Sequence, residues 1–599
     1  MTRTMMLRAG WLAAWAAVAL TAPRGAAAAE KCQLSMNELP VRIVGSRVVT
    51  HVGIGEAEVP MTVDSGAFFS FLTEAAAQQL HLQTRSAPGG YRVEGAAGEV
   101  DVRVTRVPHL RLLGGEVPSP IEFIVGGNDP GSGTMGLLGR NILGAADVEY
   151  DLANGHVQLV VPHGDCGGDR NMAYWAGDTP VSELSLDTTW REKLPAIQVR
   201  VRVGDAKVSA ILDTGAPTTV LWRSAALRAG IAEDAMKPAG SMHGAGHGEA
   251  KAWVATVPRV QIAGEAIGNS RLDIADYPVL DNGVEMLLGL DFFLSHRIYV
   301  SREQRKIYFT YNGGQVFAHN TVAEAEAPET GPLPDADAYA HRAAVATARG
   351  DAVRALADLD RACALSPQSA ELLLRRGHAH ERLQQAPEAL RDYEAALRLD
   401  PGSAEARLAH ARLALDAGRR EDALVDAKAL DARLPVESNH RRELARLYAR
   451  LDMPGLEQAQ LAIWLKTHSH EVDADRAWYQ SCWARMELGT VLDQALADCE
   501  RALDDKPREA DYLDARGWVR LRRGEWRDAR RDFDRALERD PAQAWALYGR
   551  GLVRTHEGDA AAGGADLAAA RQLLPRIDAV AAGFGMAAPA TATSAASGP

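Results

Sequence analysis

The chain has 599 residues, too many for one hydrophobic core, so three or more folding units are expected. With 47% hydrophobic and 24% charged residues, the composition is that of a globular protein and excludes global disorder. A net charge of −13 and a pI near 5.8 supply no basic face for phosphates, so no nucleic-acid partner is expected.

At the N-terminus, Arg3 and Arg8 flank an uncharged stretch over 9–23 that runs into the small residues Ala26 to Ala29. This pattern reads as a secretory signal over 1–29, cleaved before Glu30, and predicts a periplasmic or secreted protein. The apolar run falls short of the roughly 20 residues that span a bilayer, and no other window qualifies. No membrane span is therefore expected after signal removal. Among the five cysteines, Cys32 and Cys166 bracket the first β-rich segment, and an oxidising compartment would permit a bridge between them. Cys482 and Cys499 are a second candidate pair, with two adjacent buried thiols as the alternative. Cys363 is left over as a small core residue.

The segment before residue 315 contains one pattern twice. Ile54-Gly55-Glu56-Ala57-Glu58-Val59 runs into Pro60-Met61-Thr62-Val63-Asp64-Ser65-Gly66-Ala67, and Val203-Gly204-Asp205-Ala206-Lys207-Val208 runs into Ser209-Ala210-Ile211-Leu212-Asp213-Thr214-Gly215-Ala216. Each copy predicts a β-hairpin with a Gly-containing turn, its second strand ending at the aspartate. Leu137-Leu138-Gly139 follows Asp64 by 75 residues to the glycine, and Leu287-Leu288-Gly289 follows Asp213 by 76. A hairpin pattern closes each copy, Val148 to Tyr150 with His156 to Leu159, and Ile298 to Val300 with Lys306 to Phe309.

An apolar strand ending in Asp-Ser/Thr-Gly-Ala, a glycine-rich hairpin and then Leu-Leu-Gly resembles the retropepsins, the aspartic peptidases of retroviral type and their bacterial relatives. The resemblance implies an all-β bilobal double barrel, with lobe 1 over 30–166, an inter-lobe linker over 167–189 and lobe 2 over 190–313. It implies an aspartic endopeptidase that needs no cofactor and no metal, acts on a polypeptide, and has Asp64 and Asp213 as its catalytic pair. Two close carboxyls cannot both ionise, so the pair would share one proton and activate one water. Because one chain carries both motifs, the catalytic unit is expected to be monomeric.

By the same resemblance, Ser65 and Thr214 fix the loops across the lobe interface, while Gly66 and Gly215 bring backbone N–H groups close to the carboxylates. Ala67 and Ala216 stand where pepsin-like enzymes often carry a hydroxyl. Losing that hydrogen bond raises the pair's pKa values and implies an optimum milder than pepsin's. Flap hairpins are expected around Tyr91 and Gly95 and around Gly244 and Gly246. Phe68-Phe69 departs from the family pattern, and these rings either fill the core beneath the loop or narrow the cleft. His243, His247 and Glu249 lie in a glycine-rich, non-helical stretch and do not read as a metal site. His468, His470 and Glu471 read as solvated.

A Pro/Glu-rich linker is expected over 314–335. Beyond it, prolines recur every 34 residues at Pro367, Pro401 and Pro435 and again at Pro507, Pro541 and Pro575, with 72 residues across the gap. The gap would hold a degenerate repeat with a four-residue insertion. Small residues at Gly377, Ala389 and Ala396, and at Gly517, Ala529 and Ala536, resemble the tetratricopeptide (TPR) consensus. They imply an all-α superhelix of about seven repeats over 336–575, binding a protein partner through its groove, with a cap and disordered tail over 576–599. The competing reading is a non-proteolytic peptide-binding adaptor that uses the same cleft and repeats.

Overall fold

The computed structural model describes residues 32–587 apart from 88–92, 96–97, 101, 118–119, 127–132, 168–169, 188–195, 244–248, 278–282, 314–315, 318–332, 470 and 472–473. The expected signal over 1–29, the flap residues Tyr91, Gly244 and Gly246, and most of the 314–335 linker lie outside the described residues, as do 588–599. The chain divides into two compact units, Met1–Pro367 and Gln368–Pro599.

The first unit is β-rich, and its hairpins follow from alternation. In strand Gln198–Val203, Val199, Val201 and Val203 are buried while Arg200 and Arg202 face solvent. It turns through Gly204 at φ +55°, a conformation glycine adopts without a Cβ penalty, into strand Ala206–Leu212. In the first lobe, strand Arg47–Ile54 turns through Gly55 at φ +59° into Ala57–Val63.

Each second strand then acquires a parallel neighbour from far along the chain. Gly136–Leu138 lies beside Ala57–Val63, and Met286–Leu288 beside Ala206–Leu212. Ten strands curl into the first lobe. In the second lobe, Gln198–Val203 pairs on its other edge with Glu249–Ile262, which closes a barrel.

The two closing hairpins do not stay with their own lobes. Strand Asp147–Asp151 pairs with His296–Ser301, Glu149 opposite Tyr299, so that both hairpins merge into one six-stranded sheet. Gln33–Pro40 and Ser182–Ser185 complete its edges. The Cys32–Cys166 disulfide, with Cα atoms 4.7 Å apart, fastens the first of these edge strands. Closing a loop of 134 residues stabilises by roughly 5 kcal/mol at most.

Within the expected inter-lobe linker over 167–189, residues 172–176 pack into this core. Met172, Ala173 and Ala176 are buried against Tyr299 and Tyr308, and Trp175 donates to Thr310 Oγ1 at 2.9 Å. Apolar residues spaced over a short irregular segment carry no period, so their burial left no sequence signal.

The first helical pair, Ala336–Ala348 and Ala352–Leu365, also belongs to the first unit. Ala344 and Val345 join the lobe core. His341 Nε2 lies 2.8 Å from the Ala153 carbonyl, and Arg349 donates to the Leu294 carbonyl.

From Ala370 on, antiparallel helix pairs form the second unit. The expected small residues sit where helices touch: a Cβ on Gly377 would lie 2.4 Å from the Tyr393 ring, and one on Gly517 2.6 Å from the Phe533 ring. The 72-residue gap holds two pairs, His440–Arg450 with Pro454–His468, and Ala474–Leu488 with Leu492–Asp505. Cys482 and Cys499 join the latter pair in a disulfide, and Cys363 is a buried free thiol.

Within repeats the two helices are also tied by ion pairs from half-buried arginines to buried aspartates sixteen residues on, Arg376–Asp392, Arg516–Asp532 and Arg550–Asp566, as in Arg342–Asp358 of the first unit. Helix Ile577–Gly583 caps the array, burying Ile577 and Ala581. His468 and Glu471, expected in solvent, are buried instead, with the His468 ring stacked on Trp464 at 4.5 Å. His470 lies outside the described residues. Among the described residues no helix is long and apolar enough to cross a membrane.

The docked helix pair makes the β unit dependent on it. A chain ended at residue 332 should unfold at lower urea concentration than one ended at 367, by roughly 2–4 kcal/mol in stability, since it exposes the lobe surface that Val345 and its neighbours cover. Equal midpoints and equal m-values would show the pair to be dispensable.

Candidate active site

Asp64 follows directly on strand Ala57–Val63, and its N–H donates to the Leu138 carbonyl at 3.0 Å. Asp213 follows Ala206–Leu212 in the same way, donating to Leu288 at 2.9 Å. The parallel neighbour of each strand therefore fixes where each aspartate leaves its sheet.

The two loops then lock together. Thr214 Oγ1 donates to the Val63 carbonyl at 2.7 Å and accepts the Ser65 N–H at 3.0 Å. In reciprocal fashion, Ser65 Oγ donates to the Leu212 carbonyl at 2.9 Å and accepts the Thr214 N–H at 3.0 Å. Both hydroxyl residues are fully buried, so every one of these bonds is shielded from water.

The motif glycines permit the closest approach. A Cβ on Gly66 would fall 2.5 Å from Asp213 Cγ, and a Cβ on Gly215 only 2.4 Å from Asp64 Oδ2. Both aspartates keep partial exposure, as groups that meet solvent must.

The two carboxyls are not equivalent. Asp64 Oδ1 accepts the Gly66 and Ala67 N–H groups at 2.9 and 2.8 Å, whereas among the described residues Asp213 Oδ1 accepts Gly215 N–H alone, at 2.8 Å. Burial, and then the negative charge of Asp64, push the Asp213 carboxyl up to about 8, with Gly215 N–H and Arg47 opposing. The direction agrees with the expected milder range, but the cause is desolvation and the paired acid. Ala67 contributes its own backbone donor to Asp64. The Ala216 N–H turns back to the Asp213 carbonyl at 3.3 Å, and its carbonyl accepts Leu290 N–H at 2.8 Å.

Several supporting residues escaped the sequence reading. Ser70 and Thr219 each lie six residues past the motif aspartate, and Asn141 and Asp291 each lie two past the Leu-Leu-Gly glycine. Asn141 Oδ1 accepts Ser70 N–H and Oγ–H at 2.7 and 2.8 Å, while Asp291 accepts Thr219 N–H and Oγ1–H at 3.0 and 2.7 Å. Each hydroxyl in turn accepts the glycine N–H, at 2.9 Å from Gly139 and 3.1 Å from Gly289. Aligning the two copies to their ends would have exposed these pairs.

Arg47 donates to the Gly215 carbonyl across the lobe interface. It lies seventeen residues before Asp64, where the second copy has Ala196. Phe68 is 39% exposed with the Arg140 guanidinium 5.3 Å from its ring centroid, so it walls the rim and does not fill the core.

Gly95 ends strand Val93–Gly95, which pairs with Gly98–Val100 in a two-stranded sheet. In the second lobe, His243 pairs with Glu249 at the base of the segment that holds Gly244 and Gly246.

The aspartyl protease family model matches residues 50–142 and again 199–292, and the tetratricopeptide repeat model matches 370–403. The first unit carries two aspartyl-protease-like domains. Among solved structures, the chain is similar to YrrB, described as a TPR protein with an unusual peptide-binding site. That likeness has 19% identity over 32% of this chain and 98% of YrrB, with a TM-score of 0.30. A tetratricopeptide repeat protein from Parabacteroides merdae is 18% identical over 42% of this chain and 98% of its own, with a TM-score of 0.32. No curated protein matches the chain.

The reciprocal hydroxyl bonds hold the two aspartyl-protease-like domains in register. Thr214→Val removes a buried donor and strands Val63 O and Ser65 N–H, and should lower the unfolding free energy of the β unit by about 2–4 kcal/mol. Thr214→Ser, which keeps the hydroxyl, should lose less than about 1.5 kcal/mol. Urea denaturation monitored by tryptophan fluorescence checks both, and equal losses would contradict the assigned role of the hydroxyl.

Proposed function

We propose that the β unit is an aspartic endopeptidase in which Asp64 is the base and Asp213 the protonated partner. The observation that carries this reading is the asymmetric pair itself: two adjacent carboxyls, one held by two backbone N–H donors and the other desolvated beside it. A groove that only held peptides would gain nothing from two acids placed where they repel one another.

In the proposed reaction, a water between the carboxyls loses a proton to Asp64 as its oxygen attacks the scissile carbonyl carbon. Asp213 donates its proton to the carbonyl oxygen, giving a gem-diol. The proton on Asp64 then passes to the amide nitrogen, the C–N bond breaks, and return of a hydroxyl proton to Asp213 restores the pair. A flap built on the paired strands Val93–Gly95 and Gly98–Val100 would supply backbone to a substrate bound in extended form.

The N-terminal signal pattern supports export to the periplasm or beyond, and the repeats support recruitment of a polypeptide substrate or regulator.

Digestion of a mixed peptide library by wild-type chain, Asp64→Asn and Asp213→Asn tests the chemistry. Cleavage by wild type, reduced at least about a thousandfold in either variant, is the expected result. Cleavage that persists in a variant, or none by wild type at any pH, defeats the proposal.

The pH dependence follows from the raised Asp213 carboxyl. The proton that activity requires stays bound through neutral pH and is lost as pH rises through about 8, so kcat/KM should fall above that value. A profile already past its maximum below about pH 3 would contradict the assignment.

A further inference from the structure

A cation acts on the second aspartate, and the duplicated fold supplies it from the first lobe. Arg47 opens strand Arg47–Ile54, directly after the turn at Gly45 and Ser46, with Val44 opposite it on strand Arg42–Val44. Val49 pairs with Thr62, so continuing that register by two places sets Arg47 level with Asp64. The base of the side chain is firm: Ile43 and Val48 are buried, and helix Ala336–Ala348 packs against strand Arg42–Val44. The second copy has Ala196 at the matching place, so it returns no such cation to the first lobe.

The Arg47 side chain crosses to the other lobe, where it donates to the Gly215 carbonyl. Gly215 in turn gives its N–H to Asp213 Oδ1 at 2.8 Å. Arg47 therefore reaches the carboxyl through a glycine, a residue with no side chain of its own to fix its backbone. The bond goes to a neutral carbonyl, so the partner does not cancel the charge, and half-burial weakens its screening by water. That charge acts on Asp213, opposing burial and the negative charge of Asp64, in the same sense as the Gly215 N–H. Tyr150, which also feels Arg302 and Arg140, faces Asp64.

Two demands meet at Asp213 in the proposed reaction. It must keep its proton until substrate is in place, and then give it to the carbonyl oxygen. Burial beside a second acid serves the first demand, and a fixed cation nearby serves the second.

We propose that Arg47 is a positioning residue for the reaction: it anchors the second-lobe loop at Gly215, and its charge eases release of the Asp213 proton. The inference rests on the aspartic-peptidase reading, and it adds a first-lobe group that acts on the second-lobe acid.

Carbon-13 titration of the Asp213 carboxyl, with its signal assigned from Asp213→Asn, and pH profiles of peptide cleavage test it on the full chain. Arg47→Gln removes the charge and keeps a polar donor, whereas Arg47→Lys keeps the charge. In Arg47→Gln, the Asp213 titration and the alkaline limb of kcat/KM should both move up by about one pH unit. Its kcat should fall about tenfold, with KM changed less than about twofold. Arg47→Lys should stay within about 0.3 unit of wild type, and Arg42→Gln, an exposed arginine on the same hairpin, should change neither measurement. Circular dichroism melts confirm that each variant is folded. An Asp213 titration unmoved in Arg47→Gln, or moved as far in Arg42→Gln, overturns the proposal, and so does a moved titration with an unmoved limb. Should Arg47→Gln not fold, Arg47→Lys decides alone, since loss of the wild-type titration with the charge retained overturns the proposal. If wild type cleaves no peptide, the endopeptidase reading fails by itself, and the titration separately shows whether Arg47 acts on Asp213.

Discussion

The structure depends on one interaction, the reciprocal hydrogen bonding of Ser65 and Thr214 across the lobe interface. Two carboxyls brought as close as Asp64 and Asp213 repel one another unless a proton is shared, and that repulsion acts to part the lobes. Buried hydroxyl bonds, a sheet that takes strands from both lobes, and an Arg47 contact to the Gly215 carbonyl all oppose it. The fold around the site thus opposes that repulsion.

A chain that carries both copies of a duplicated unit can let them diverge. The first copy supplies Arg47 where the second has Ala196, an extra N–H donor to its aspartate, and Phe68 at the rim where the second has Pro217. A symmetric pair built from two identical chains has no such freedom. Here the differences leave the two carboxyls in unlike surroundings, and burial with the charge of Asp64 raises Asp213.

The duplicated Asp-Ser/Thr-Gly-Ala strands and the 34-residue repeats were legible because each is a local pattern seen twice or more, and both places matched the structure. What stayed hidden depends on partners distant in sequence. The merging of two hairpins through Glu149 and Tyr299 leaves each strand's own pattern unchanged. The burial of Met172 and Trp175 comes from a segment with no period, and Arg47 reveals its role only when the second loop arrives beside it. The His468 ring was misread because a histidine followed by an acid looks solvated, whereas Trp464 one turn earlier covers it. The Arg–Asp ties at a sixteen-residue spacing were legible in principle, since they recur in phase with the repeats.

The first helical repeat is part of the β unit, while the remaining pairs form a second body. The account nevertheless turns on the aspartate pair, and it is tested most directly by carbon-13 NMR of the chain labelled at aspartate Cγ, with the two signals assigned from Asp64→Asn and Asp213→Asn. At pH 6 the Asp213 carboxyl is expected to be protonated, titrating near 8. Two independent carboxylates, both ionised at pH 6 and unmoved by substitution of the other, would contradict it.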